Sequence, residues 1–280
     1  MKLPLSVWSG YFYDVSPEKM VDIFVDEGFC CTEFSIEHGV MLLSRGDAKA
    51  VGKEFGRYAA NKGLAIPQGH LDMDLELTDR KDLDALKRWI DLFYAIGIRN
   101  MVLHATGAYE ESYERQLELR GKAVRELADH VAGTDVTICL ENLFSKPMVQ
   151  RADGILELIE AAGGGENLGI CLDIGHLHRV RSHGLCPDSS RDFIRKAGKK
   201  LKALHVHDNM GVQDDHLFPF CKKGLNWQLF MQALEENGFD GIFNLEIPGE
   251  NKAPMELRLL KLNYAKKLAE YLMRDEFIHG

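Results

Sequence analysis

The sequence predicts an α/β protein: a single closed (β/α)₈ barrel of parallel strands. Three observations carry that expectation. A short apolar run followed by an amphipathic segment recurs eight times, about 35 residues per unit, which matches the size of such barrels. The runs are continuously apolar, as strands buried on both faces are. Strict strand–helix alternation implies parallel strands joined by right-handed crossovers. The competing architecture, an open doubly wound sheet, would place a glycine fingerprint after an early strand, and the sequence has none.

In chain order the apolar runs lie near Leu3–Trp8, Cys30–Phe34, Leu64–Pro67, Asn100–His104, Val136–Glu141, Leu168–Asp173, Ala203–His207 and Ile242–Ile247. The helical segments lie near Pro17–Glu27, Asp47–Lys62, Asp79–Ile96, Glu110–Val131, Gly154–Ala162, Ser189–Lys200, Asn226–Asn237 and Pro254–Met273. Ser16-Pro17 and Asp79 supply N-terminal caps, because their side chains can accept the unpaired N–H groups of the first turn. Gly28, Gly63, Gly97 and Gly238 stand where helices should stop. The Gly163-Gly164-Gly165 run follows a helix and precedes a strand, so it reads as a C-terminal cap and turn. It does not read as a phosphate cradle, because no strand leads into it and no G-K-[ST] follows. With no low-complexity stretch or linker, residues 1–280 are expected to form one domain.

Composition bounds the function. Apolar residues at 45% and charged residues at 28% describe a foldable globular chain and exclude a disordered or collagen-like one. The net charge of −9 argues against bulk binding to nucleic acid or membrane surfaces. The opening MKLPLSVWSGYFYDV is broken by Pro4 and Ser6 and does not read as an export signal. No run of about 18 apolar residues suggests a membrane span. Six cysteines without a C-x-x-C pair then point to reduced thiols and a cytoplasmic setting, with Cys139 and Cys171 as core filler.

The chemistry is legible at the strand ends. Val102-Leu103 leads to His104, Ile138-Cys139-Leu140 to Glu141, and Ile170-Cys171-Leu172 to Asp173, with His176 three residues on. Ala203-Leu204 leads to His205, His207 and Asp208, and Phe243-Asn244-Leu245 to Glu246. Leu64-Ala65-Ile66 leads through Pro67-Gln68-Gly69 to His70. In a barrel these ends converge on one mouth, where active sites sit. Carboxylates gathered there would repel each other and lose hydration at a cost of several kcal/mol unless a cation joined them. Mixed carboxylate and imidazole donors suit Mn²⁺, Fe²⁺, Co²⁺ or Zn²⁺ better than Ca²⁺. Asp214 and His216, in the Asp214-Asp215-His216 loop, become further candidate ligands in that setting.

These residues resemble the xylose isomerase-like TIM-barrel superfamily. The resemblance rests on ICLEN (Ile138–Asn142), GICLDIGH (Gly169–His176), HVHDN followed by DDH (His205–Asn209, Asp214–His216) and NLEIP (Asn244–Pro248), in that order. In the sugar isomerase and epimerase branch the resemblance implies one divalent metal held by Glu141, Asp173, His205 and Glu246, with His176 touching substrate. In the endonuclease IV branch it implies three zinc ions. The matching positions there are His70, His104, Glu141, Asp173, His176, His205, Asp214, His216 and Glu246, and this chain fills all nine.

The expected activity is therefore metal-dependent isomerisation or epimerisation of a sugar or sugar phosphate. A proton leaves the carbon beside a carbonyl and returns through an enediolate. Glu141, Glu246 and His176 are the candidate catalytic residues. One ion (Mn²⁺, Zn²⁺, Co²⁺ or Mg²⁺) is expected, with donors for up to three. The alternative is phosphodiester hydrolysis by several zinc ions, favoured by His70, His104, Asp214 and His216. That reaction on DNA would need a basic rim. Arg179-Val180-Arg181 and Lys222-Lys223 are the only basic clusters expected near the mouth, so a nucleic-acid partner is not expected. Trp8, Tyr11, Phe12, Tyr13 and Phe34 could stack on a sugar ring or fill the barrel top. A homo-oligomer would be ordinary for an enzyme of this kind.

Overall fold

The structure, a computed structural model, describes residues 2–280. Among these residues there are eight strands: β1 (Leu5–Val7), β2 (Cys31–Phe34), β3 (Ala65–His70), β4 (Asn100–Leu103), β5 (Thr137–Glu141), β6 (Leu168–Asp173), β7 (Leu201–His205) and β8 (Phe243–Leu245). Strands β2 to β7 pair in sequence order, and β1 pairs with β8; every pairing is parallel. Two single bridges join these sheets into a ring, Trp8 with Glu33 and Val206 with Leu245. The β7–β8 seam carries Val206 N–H to Asn244 O at 2.9 Å and Glu246 N–H to Val206 O at 3.0 Å. Side chains stitch the β1–β2 seam: Glu33 N–H donates to Ser6 Oγ at 3.1 Å and Thr32 Oγ1 to Val7 O at 2.6 Å.

Eight helices match the expected segments to within a few residues: α1 (Pro17–Asp26), α3 (Ala48–Lys62), α4 (Arg80–Ile96), α5 (Tyr113–His130), α6 (Ala152–Ala161), α8 (Ser190–Ala197), α9 (Trp227–Asn237) and α10 (Met255–Leu272). The caps are as expected. Ser16 Oγ accepts from Lys19 N–H, the Asp79 side chain accepts from Lys81 and Asp82 N–H, and Gly63, Gly97 and Gly238 are left-handed. Gly163, Gly164 and Gly165 all have positive φ and turn the chain after α6. No helix is long and apolar enough to cross a membrane.

Three helices depart from the expectation: α2 (Ile36–Leu43), α7 (Ile174–Ser182) and α11 (Asp275–His279). The first two begin directly at strand ends, capped by Ser35 and Asp173. The expected strands end at Phe34 and Asp173, and no helix was expected in the residues that follow directly. β7 also sits two residues earlier than expected, since after His205 the chain bridges to β8 instead of continuing along β6. β3 runs through Pro67 to His70. Pro67 falls where the β2–β3 register shifts, so its missing N–H breaks no regular ladder.

Strand periodicity places the site. Val102, Cys139, Cys171 and Ala203 form a small buried cluster of their own, separate from the main core. Each lies two residues before His104, Glu141, Asp173 or His205, so with a period of two all eight face the barrel axis, one layer above the other. Leu103, Leu140, Leu172 and Leu204 between them belong to the main core, where the helices pack.

Arg258 on α10 ties the top of the barrel together. Its guanidinium donates to Gly249 O and Tyr11 O, both at 3.0 Å, and to the two Asp14 oxygens at 2.8 and 2.7 Å. This joins the loop after β8 to the 3₁₀ turn after β1 (Ser9–Phe12). Arg258→Met leaves two inward carbonyls and a carboxylate unpaired, and is expected to cost about 2–3 kcal/mol. Urea unfolding of both proteins checks this, with a lower midpoint and an unchanged slope as the result.

Candidate active site and metal centre

The structure brings all nine candidate ligands to the C-terminal mouth of the barrel, arranged around Glu141. Glu141 ends β5, is 1% exposed, and shares its two oxygens among four imidazoles. Oε2 lies 3.2 Å from His70 Nε2 and 3.0 Å from His104 Nε2. Oε1 lies 3.3 Å from His176 Nδ1 and 3.4 Å from His205 Nδ1. Glu246 Oε2 approaches the same His205 Nδ1 at 3.4 Å, and Asp173 Oδ2 approaches it at 3.9 Å. Asp214 Oδ2 lies 3.1 Å from His176 Nε2 and 3.2 Å from His216 Nε2.

Proton bookkeeping shows what this arrangement is built for. His70 Nδ1 lies 2.6 Å from Leu71 O, His176 Nδ1 2.8 Å from Asn142 O, and His216 Nδ1 2.8 Å from Glu246 O. His205 Nε2 lies 3.0 Å from Glu33 Oε1. Each partner is an acceptor, so that ring nitrogen carries the hydrogen. In a neutral imidazole the other nitrogen then presents a lone pair. In all four rings it points at a carboxylate oxygen, which also offers only lone pairs. A cation must sit in each gap, either a proton or a metal ion.

His205 Nδ1 and Asp214 Oδ1 are buried with no hydrogen-bond partner, as donors waiting for a metal would be. Several overlapping groups of donors are close enough together to hold a divalent metal, among them His70, His104 and Glu141, then Glu141, Asp173 and His176, and His207, Asp214 and His216, while Glu141, Asp173 and Glu246 all approach His205. The carboxylate and imidazole donors suit Mn²⁺, Co²⁺ or Zn²⁺.

The ionisation of the unmetallated cluster follows the same logic. Burial alone would raise the Glu141 pKa, but His205 and His104 hold it well below the carboxylate range. Burial is likewise outweighed at Asp173 and Asp214, which are lowered by facing histidines. Burial would lower His176 and His205, yet Asp173 for the first, and Glu246, Glu33 and Glu141 for the second, raise both. His216 is pushed up to about 10 by Asp214 and Glu246 against the effect of burial. His104 goes the other way, because burial there exceeds the pull of Glu141. The imidazolium protons occupy the gaps a metal would fill, so metal uptake should release protons.

His207, which the sequence left open between ligand and supporting partner, lies 3.1 Å from both Asp173 oxygens and stacks on His216 with ring centroids 3.9 Å apart. Its Nε2 is committed to Asp173. Of the proposed aromatics, Trp8 reaches the cavity, whereas Tyr11, Phe12 and Phe34 are fully buried packing residues. Tyr13 is 41% exposed and bonds to Asn251.

The sequence reading missed Glu33. It is 1% exposed, faces inward from β2, and accepts from His205 Nε2 and from Asn244 Nδ2. Asn244 Oδ1 in turn accepts from Ser6 Oγ at 2.7 Å. This buried carboxylate fixes the His205 ring with Nδ1 toward the cluster. The signal was a lone acid inside the apolar run Cys30–Phe34. Glu33→Gln is expected to weaken divalent-metal binding about tenfold or more, measured by competition with a chelator, with secondary structure unchanged.

Asp208 was also passed over. Its carboxylate accepts from Asn209, Cys221 and Leu225 N–H at 2.9, 3.2 and 3.1 Å, and from Trp227 Nε1 at 2.9 Å. It clasps both ends of the loop that presents Asp214 and His216. A Cβ at Gly224 would come within 2.4 Å of both Asp208 oxygens.

A cavity of about 780 Å³ opens above this floor. Glu141, Glu246, His70, His104, His176, Asp214 and His216 line its base.

Residues 22–270 match the family described as xylose isomerase-like TIM barrel. Among curated proteins, uncharacterized protein y4fM of Sinorhizobium fredii is 29% identical over 174 residues, covering 59% of this chain and 52% of that protein. The probable endonuclease 4 of Mycoplasma pneumoniae is 27% identical over 144 residues, covering 46% of each. The chain spans about half the length of the curated relatives it matches. Among solved structures, D-psicose 3-epimerase with D-tagatose from Clostridium cellulolyticum H10 superposes with a TM-score of 0.77 at 16% identity, covering 97% of this chain and 100% of that one. At that identity the likeness concerns the fold.

Proposed function

The chain belongs to the xylose isomerase-like TIM-barrel family, and from that premise we propose that it is a divalent-metal-dependent sugar isomerase or epimerase. The observation that carries the reading is at the cavity floor. There His205 Nδ1, with no hydrogen-bond partner, stands 3.4 Å from each of two carboxylates, Glu141 Oε1 and Glu246 Oε2. Glu141, Asp173, His205 and Glu246 would hold the metal, which supplies Lewis acidity toward a carbonyl and its neighbouring hydroxyl.

The chain's own groups account for the proton. Glu246 is 13% exposed at the cavity base, and its close imidazole contacts fall on Oε2. It is the carboxylate best able to reach a substrate C–H and take its proton. Glu141, at the end of β5 and across His205 from Glu246, can return a proton from another side. Return to the opposite face inverts the carbon, and return to the adjacent carbon exchanges aldose for ketose. Trp8 and Phe144 line the cavity above these groups.

The test is incubation of a panel of ketoses and aldoses with the metal-loaded protein in deuterium oxide. Deuterium should appear at a carbon beside the carbonyl at a rate proportional to enzyme. No incorporation in any sugar would reject the proposal.

A second reading is favoured by a specific observation. The donors fall into several overlapping groups that share carboxylates, a layout suited to phosphodiester hydrolysis by several metals. Efficient cleavage of duplex DNA at an abasic site by the pure protein would establish that reading instead.

A further inference from the structure

The far end of the same cavity bears on the substrate class, and this step rests on the isomerase reading. At about 780 Å³ the cavity is in the range, about 300–1,000 Å³, that encloses ligands well beyond a free ketohexose with its dozen or so heavy atoms. Beyond the histidine–carboxylate floor its walls include Trp8, Tyr109, Phe144 and Met73, flat or flexible apolar surfaces of the kind that receive the hydrophobic face of a sugar ring.

The charge around these walls is one-sided. Asp74, Glu76 and Asp215 line the outer part, against a single ammonium, Lys146. Its Nζ lies 4.0 Å above the Tyr109 ring centroid. No arginine lines the cavity among the described residues. The nearby Arg179 donates Nε to Val212 O at 3.2 Å and stacks on Phe144 at 3.8 Å. A phosphate group seeks a forked guanidinium or a ring of N–H donors. Held here with its sugar carbons at the floor, it would face a net excess of carboxylates.

We propose that the substrate is an uncharged keto sugar extended by a second neutral ring, a glycoside-type molecule and not a sugar phosphate. The floor takes the reacting carbons, and the aromatic walls take the second ring.

Three probes differing at one oxygen test this: D-fructose, D-fructose 6-phosphate and isomaltulose, in which a glucosyl unit takes the phosphate's place. Deuterium exchange beside the carbonyl gives kcat/KM, and calorimetry gives affinity. Isomaltulose should exceed fructose, and fructose should exceed its phosphate, each by about tenfold or more. The paired change Asp74→Asn with Glu76→Gln should raise the phosphate-to-isomaltulose ratio about tenfold by removing two like charges. Preference for the phosphate, or equal use of fructose and isomaltulose, overturns the inference. Should no probe exchange deuterium, the isomerase reading fails separately. Calorimetry then decides: binding of isomaltulose without the phosphate upholds this cavity assignment, and any other pattern rejects it.

Discussion

Glu246→Gln is expected to lower proton exchange at the substrate carbon by about 10³-fold in protein saturated with metal, with the fold retained. The amide cannot accept a proton from carbon at neutral pH, yet it keeps the size and one oxygen of the carboxylate. Glu246 is only partly buried, and its side-chain contacts with His205 and His216, at 3.4 and 3.9 Å, are long ones. Its backbone carbonyl, which accepts from His216, is untouched by the substitution. Circular dichroism should therefore match the wild type, metal affinity should fall, and deuterium exchange should disappear even in protein saturated with metal. Retained exchange in the variant would remove Glu246 as the base and leave Glu141 as the candidate. The corresponding Glu141→Gln should behave differently. It perturbs four imidazoles at once, so loss of metal should accompany loss of exchange.

Chelation is the second large effect. Dialysis against EDTA should abolish exchange, and Mn²⁺ or Co²⁺ should restore it. Full activity in metal-free protein would contradict the site assignment. The geometry adds a stoichiometry that the sequence reading did not choose, since it expected one ion with donors for up to three. Four histidines each aim a lone pair at a carboxylate, around Glu141 and around Asp214, so more than one ion per chain is expected at saturation. Asp214→Asn should remove one of them, because Asp214 Oδ2 alone bridges His176 and His216. If exchange survives in that variant, the ion beside His205 is the one the proton transfer uses. If exchange is lost, the His176 and Asp214 pair takes part as well.

Most of the candidate ligands were legible because they sit at the ends of apolar runs, and a barrel sends all such ends to one mouth. His70, His104, Glu141, Asp173, His205 and Glu246 follow from that rule. Asp214 and His216 did not, being loop residues; they became candidates through the strand-end cluster that their loop accompanies, and the superfamily resemblance then matched them as well. Glu33 and Asp208 escaped for opposite reasons. Glu33 lies inside a strand, where a lone acid carries no spacing signal, and its partner His205 is 172 residues away. Asp208 sat beside two histidines in sequence and looked like part of their cluster, but its carboxylate accepts four donors of its own loop and helix. Helices α2 and α7 escaped because a capping residue and a strand-end residue were the same side chain or its neighbour.

The sequence by itself determined the architecture and pointed to the candidate donors at the strand ends, because periodicity and strand-end chemistry are local and survive translation along the chain. Only the tertiary structure decided which lone pair faces which carboxylate, and that Lys146 and Arg179 lie against aromatic rings. Those outcomes depend on ring orientation and on contacts between residues far apart in sequence, which hydrogen-bond partners such as Glu33, Asn142 and Leu71 fix once the barrel has closed.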